Sequence, residues 1–308
     1  MTDSIRRRTL IHGFGAIGLA VSSGCLGNKE IAEGESWPEA TKNTLTESEI
    51  QLISDAGLPP EEVKSETDAI RVGVIVGWHR QLNAFDSDRL SSVDSFLQTA
   101  EETESVLRDV EQKLEAVDAL ITKMKDTEIG GISAWDVATT ISSSARGFDE
   151  AVTTSLREVR YWRNLLTSVT DSLTGSLEIL RTSLQTQTPQ GDQLETLATN
   201  IDTTLEDVNE LESRASTLQE NLSTYAEITG TIASNSDQLR EDEFLDIANE
   251  VETVYGTASE LFTEAASKIE AFNQELRAAQ SVLAELELGA TDYQRDTTNE
   301  IRGRYSPG

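Results

Sequence analysis

Apolar residues recur at steps of three and four over four long stretches of this chain, and no proline interrupts residues 61–188 or 190–306. The first stretch runs from Val93 to Met124, closing on Leu107, Val110, Leu114, Val117, Ile121 and Met124. The second spans Trp135 to Leu184, the third Leu194 to Tyr225 and the fourth Phe244 to Leu286. Side chains at that spacing share one face of an α-helix, and a stripe so narrow can be covered by only one or two neighbours. Only 37% of the residues are hydrophobic and 5% aromatic, enough for long seams rather than a thick core. The pattern therefore predicts an all-α fold: an elongated antiparallel bundle or coiled coil of four to five long helices, each on the order of 55–80 Å at 1.5 Å per residue.

Turn chemistry places the boundaries. Thr188-Pro189-Gln190-Gly191, Gly130-Gly131 and Ser234 to Asp237 read as turns, and Asp86-Ser87-Asp88 as a break or N-cap between helices. Thr46-Glu47-Ser48-Glu49 is a capping box that opens a short helix, stopped by Gly57 and Pro59-Pro60. Residues 70–78 alternate at period two and are rich in β-branched side chains, as a strand would be. Yet Leu82 and Phe85 extend a helical stripe from Val74 and Trp78, so a buried helix is the preferred reading. The expected organisation is a signal over 1–24, an anchor, flexible tether and short helix over 25–58, the bundle over 59–288 and a flexible tail over 289–308.

The first 25 residues read as an address. Arg7-Arg8-Thr9-Leu10-Ile11 has two arginines, one further residue and two apolar residues; a glycine-rich apolar stretch follows, then Ser22-Ser23-Gly24-Cys25. This order resembles the signal of twin-arginine-exported lipoproteins of the halophilic archaeal type, with Ser22 where the lipobox usually carries an aliphatic residue. The resemblance covers the signal alone. It implies export directed by Arg7 and Arg8, acylation at Cys25, which is the chain's one thiol, and residence on the outer face of the cytoplasmic membrane. Cleavage before Cys25 removes three Arg and Asp3, taking the net charge from −30 to −32. Gly13-Phe14-Gly15-Ala16-Ile17-Gly18 satisfies the dinucleotide-binding glycine pattern, but it follows three arginines inside the signal and lacks the strand that the fingerprint requires.

Few constellations for chemistry remain. His79 is the one histidine after Cys25, and no G-x-S-x-G, H-E-x-x-H or phosphate-binding loop occurs. No cofactor or metal site is expected, and catalysis is not. Arg157, Arg160 and Arg163, with Tyr161 and Trp162 between them, form the sharpest positive feature. They admit two readings. Arginine as a bidentate donor beside stacking aromatics suits an anion or glycan. Alternatively they pair with acids on neighbouring helices, which the charge balance favours: residues 133–187 carry five Arg against six acids, while 191–236 carry one against nine. Asn221-Leu222-Ser223 is a glycosylation sequon flanking the third seam.

The expected function is a lipid-anchored extracytoplasmic spacer, scaffold or partner-binding module, held to the cell membrane through Cys25 and meeting a protein partner or its own kind through helices. The alternatives are a sensory or solute-binding helical ectodomain and a hydrolase or transferase using buried carboxylates. Nucleic acid is excluded as a partner by the charge of −30, from 55 acids against 25 Lys and Arg. Eighteen of those 25 cations are Arg and the acids are spread along the whole chain, a halophilic surface pattern. At molar salt the Debye length falls to about 3 Å, against about 10 Å at 0.1 M, so like charges on a helix face cease to repel. The melting temperature should therefore climb by on the order of 10 °C between dilute and molar KCl, read by circular dichroism; a flat response contradicts the halophilic reading.

Overall fold

The computed structural model describes residues 35–186 and 190–307. The signal and Cys25 lie outside them. Nine α-helices are formed among the described residues: α1 (Trp37–Thr44), α2 (Glu47–Asp55), α3 (Glu66–Ala84), α4 (Ser91–Asp126), α5 (Ala134–Ile141), α6 (Phe148–Thr186), α7 (Gly191–Ser234), α8 (Asp237–Glu241) and α9 (Leu245–Arg304). Two two-residue strands, β1 (Glu128–Ile129) and β2 (Ile132–Ser133), pair antiparallel between α4 and α5. The fold is all-α, as the heptad spacing predicts.

Local chemistry sets the ends. Thr46 caps α2: its hydroxyl accepts from the Glu49 N–H while the Glu49 carboxylate accepts from the Thr46 N–H at 2.9 Å. Ser36 and Ser133 close the same reciprocal box on α1 and α5. The stripe expected to run unbroken from Trp135 to Leu184 is interrupted. Ser142-Ser143-Ser144 are poor helix formers, and Gly147 adopts φ +81°, so α5 ends at Ile141 and α6 begins at Phe148. Ala145 stays fully buried in the short 3₁₀ turn between them, which keeps the stripe's phase.

Helices α4, α6, α7 and α9 pack side by side in that order, and α9 closes the ring back on α4. Each is antiparallel to both neighbours. Two aromatic groups fix the levels: Trp162 of α6 and Phe96 of α4 meet Phe272 of α9 at ring separations of 5.1 and 5.4 Å, and Phe148 and Phe262 flank Tyr225 at 5.2 and 6.3 Å. Hydroxyl pairs also tie α6 to α7, the buried Ser155 to Tyr225 at 2.7 Å and the part-buried Ser172 to Thr204 at 2.8 Å.

Residues 70–78 are helical, within α3. This helix precedes α4 in the same direction, separated from it by a turn that Asp86 caps, and it packs on the last turns of α9 as well as on α7. Val72, Ile75, Val76 and Trp78 are all buried, so α3 is covered on several sides and no single helical stripe marks it.

Two expectations are overturned. Residues 289–304 are not a flexible tail but the final turns of α9, with Ala290, Thr297, Thr298 and Ile301 buried. The stripe of large aliphatic residues stops at Leu286 because α3 approaches too closely for them. A Cβ at Gly77 would lie 2.6 Å from the Ala290 carbonyl oxygen, and one at Gly73 2.3 Å from the Thr298 hydroxyl. Residues 37–44, expected within the tether, form α1 with Ala40 and Thr41 fully buried.

Gly77→Ala should lower stability by about 1–3 kcal/mol in thermal or urea unfolding, because its neighbour is backbone that cannot yield. Gly175→Ala, on the exposed face of α6 with open space around it, should raise stability by up to about 1 kcal/mol through helix propensity alone.

Candidate functional site

Arg157, Arg160, Tyr161, Trp162 and Arg163 occupy consecutive turns of α6, and its helical twist sends them to different neighbours. Trp162 points inward, 1% exposed, and donates its indole N–H to the Leu211 carbonyl on α7 at 3.4 Å. Arg160 and Arg163 turn toward α4. Arg163 donates to Glu111 at 2.6 Å and to Glu104 at 3.3 Å; Arg160 binds Glu111 and Glu115. Glu111 is thus shared by two guanidinium groups. The hydrogen bond from Arg160 and the one from Arg163 hold its carboxyl below the ordinary value against the opposing effect of burial. For Glu104, burial acts to raise the pKa, but Arg108 and Arg163 outweigh it and the result is lowered.

Tyr161 faces α7. Its hydroxyl donates to Glu210 at 3.0 Å, which raises its pKa, and the Arg214 guanidinium lies over its ring at 4.3 Å. Arg214 also pairs with Glu210 and Glu158, each within about 3 Å. Arg157 is exposed and has no ion-pair partner among the described residues. The arginine cluster is therefore a set of cross-helix ties from α6 to α4 and α7. Its acidic partners Glu104, Glu111 and Glu115, and the stacked Arg214, were not singled out by sequence, although the charge imbalance between segments pointed to such partners.

Asn221 is half-buried on α7 and lines a cavity of about 240 Å³ with Glu158, Trp162, Arg214 and Leu218. A wider hollow of about 610 Å³ lies at the α3–α4 break, bordered by Asp88, Leu90, Asp94, Arg181 and Leu184, with Arg181 bound by Asp94. His79 is hydrogen-bonded to Asn83 at 3.2 Å, and burial pushes its pKa down.

Two carboxylates lie in perturbed surroundings away from the arginine cluster. Glu49 is buried; that burial acts to raise its pKa, yet the Arg80 guanidinium at 2.7 Å and the Thr46 N–H prevail and lower it. Arg80 also donates to Thr297 at 3.2 Å, so this ion pair clamps α2, α3 and α9 together. Glu287 of α9 sits beside Asp202 of α7, and burial together with that like charge raises its pKa. Arg7, Arg8 and Cys25 lie outside the described residues. No protein-family model, curated protein or solved structure matches the chain.

Glu111→Gln should cost about 1 kcal/mol at neutral pH, since it leaves Arg163 half-buried without its short bond, while the exposed Glu115→Gln should change stability by less than ~0.5 kcal/mol. Because the folded-state pKa of Glu111 is depressed, its contribution is full above the ordinary carboxylate value and fades as pH falls through the folded value. Urea unfolding of the wild type and the Gln variant should therefore converge in acid.

Proposed function

We propose that the chain is a lipid-anchored extracytoplasmic helical bundle that serves as a spacer and partner-binding module. One observation carries this reading: Glu35 and Trp37 pack against the last residues of the longest helix among the described residues. The Glu35 N–H donates to the Arg304 carbonyl at 2.9 Å, the Ser306 N–H donates to the Glu35 carbonyl at 3.2 Å, and Trp37 stacks on Tyr305 at 4.0 Å. From there α9 runs back through 60 residues, about 90 Å at 1.5 Å per residue. Cys25 precedes Glu35 by ten residues, which reach at most about 36 Å when fully extended. A lipid on Cys25 would thus act on the C-terminal end of α9 and leave its N-terminal end for other contacts.

The hollow beside Asp94 and Arg181 supports a second reading, a solute-binding ectodomain. The spacer reading is preferred because the cation that would recognise an anionic solute is already neutralised by Asp94.

Cys25→Ser should release the exported protein from the membrane fraction into the soluble one in high-salt fractionation, and Arg7→Lys with Arg8→Lys should hold it in the cytosol. Retention of the Cys25→Ser protein on membranes would refute lipid anchoring.

A further inference from the structure

We infer that the β1–β2 hairpin and the α8–α9 corner form the partner-docking surface of the bundle, and that its occupant is a protein presenting an apolar side chain ringed by Lys or Arg. The inference rests on the spacer reading and names the surface through which the spacer would act.

Six large apolar side chains are exposed among the described residues, and three of them gather here: Ile129, Ile132 and Leu245, the last two at 55% and 59% exposure. They border two hollows of about 270 and 280 Å³ that share Ile129, Glu243 and Phe244, so the hairpin and the helix corner flank one continuous concavity. The hairpin tip stands clear: Gly130 and Gly131 take φ +63° and +84°, and no atom lies within 4 Å of where their Cβ atoms would be. A chain with so few large apolar residues places a contiguous group of them in water where a partner would cover them.

Charge selects the partner. Glu241, Asp242, Glu243 and Asp246 edge the concavity, and none has an ion-pair partner among the described residues. The neighbouring cations are already bound, Lys123 by Glu250, Lys125 by Asp149 and Arg240 by Asp237 and Glu252. The rim is therefore negative. It disfavours anionic lipid and a second copy of the same acids, and it complements a basic rim.

The test uses the full chain carrying Cys25→Ser, in about 2 M KCl where diffuse attraction is screened. The probes are a synthetic amphipathic Leu–Lys helical peptide and its equally charged Ser–Lys counterpart, read by fluorescence anisotropy. The Leu–Lys peptide should bind and the Ser–Lys peptide should bind at least tenfold more weakly. Ile132→Asp with Leu245→Asp should lose at least tenfold in affinity at unchanged melting temperature, while Leu288→Asp, equally exposed but elsewhere on α9, should not. Glu241→Lys with Asp242→Lys and Asp246→Lys, which spares the apolar surface, should lose as much when the titration is repeated in the lowest KCl at which the circular dichroism of the chain is unchanged, where the rim charges are less screened. Unchanged binding by the Ile132/Leu245 variant overturns the inference. So does Ile132-dependent dimerisation in sedimentation, or Ile132-dependent flotation with phosphatidylglycerol vesicles. None of these readouts depends on acylation, so a failure of lipid anchoring is seen separately in the fractionation of the Cys25→Ser protein.

Discussion

The closure of four apolar stripes on one another, each helix antiparallel to both neighbours, is the constraint from which the remaining structure follows. Leu107, Leu114, Leu166, Leu173, Leu211 and Leu276 are at or near zero exposure, and burial of each such side chain contributes about 1.5–3 kcal/mol toward folding. Aliphatic stripes alone are permissive about register, since a slide of one heptad buries nearly the same area. The rings break that degeneracy. Trp162, Phe96 and Phe272 meet at one level and Phe148, Tyr225 and Phe262 at another, and a slide would drive these large side chains against positions occupied by Ala or Leu. The buried Ser155–Tyr225 hydroxyl pair between α6 and α7 acts in the same sense, because displacement would leave both groups unsatisfied in the seam.

Charge works at the edges of that seam. Several cations lie where two helices face each other: Arg163 and Arg160 against α4, Arg214 against α6, Arg277 against Glu212 of α7, and Lys268 against Glu102 of α4. An arginine fork can hold two carboxylates at once, as Arg160 does with Glu111 and Glu115, which suits a chain whose acids outnumber its cations by 55 to 25. Individually such exposed pairs are worth little. Together they align α6, the most evenly charged of the four seam helices, between two acidic neighbours, and they leave the surplus of acids facing solvent.

The long stripes were legible in the sequence because helix period, proline absence and apolar spacing agree along α4, α7 and most of α9. The helix at residues 70–78 was legible only through its flanks, since a segment buried on several sides loses its periodicity. The end of α9 escaped notice for a related reason: where α3 approaches through Gly73 and Gly77, the facing residues are Ala290, Gln294 and Thr298, and small or polar residues in a tight contact carry no hydrophobic signal. The arginine cluster was visible as a cluster. Its division among α4, the core and α7 depends on which face each residue takes once α6 is packed, and Glu111's double role is a property of two helices that only the fold brings together. Ile129 and Ile132 were passed over because they flank a glycine turn outside every heptad run.

The two ends of α9 are built to different mechanical specifications. At the C-terminal end, α3 lies close enough to exclude a Cβ, the Glu49–Arg80–Thr297 clamp binds three helices, and backbone hydrogen bonds join Glu35 to Arg304 and Ser306. At the N-terminal end, the elements are an eight-residue helix, a five-residue helix and a hairpin with two residues per strand. Short elements with exposed ends open at lower free energy than long ones that share a seam. Load applied at Glu35 would therefore meet the most tightly packed part of the bundle. Adjustment around a partner at Ile132 and Leu245 would fall on the hairpin and α8, outside the four-helix seam, and on the first turn of α9.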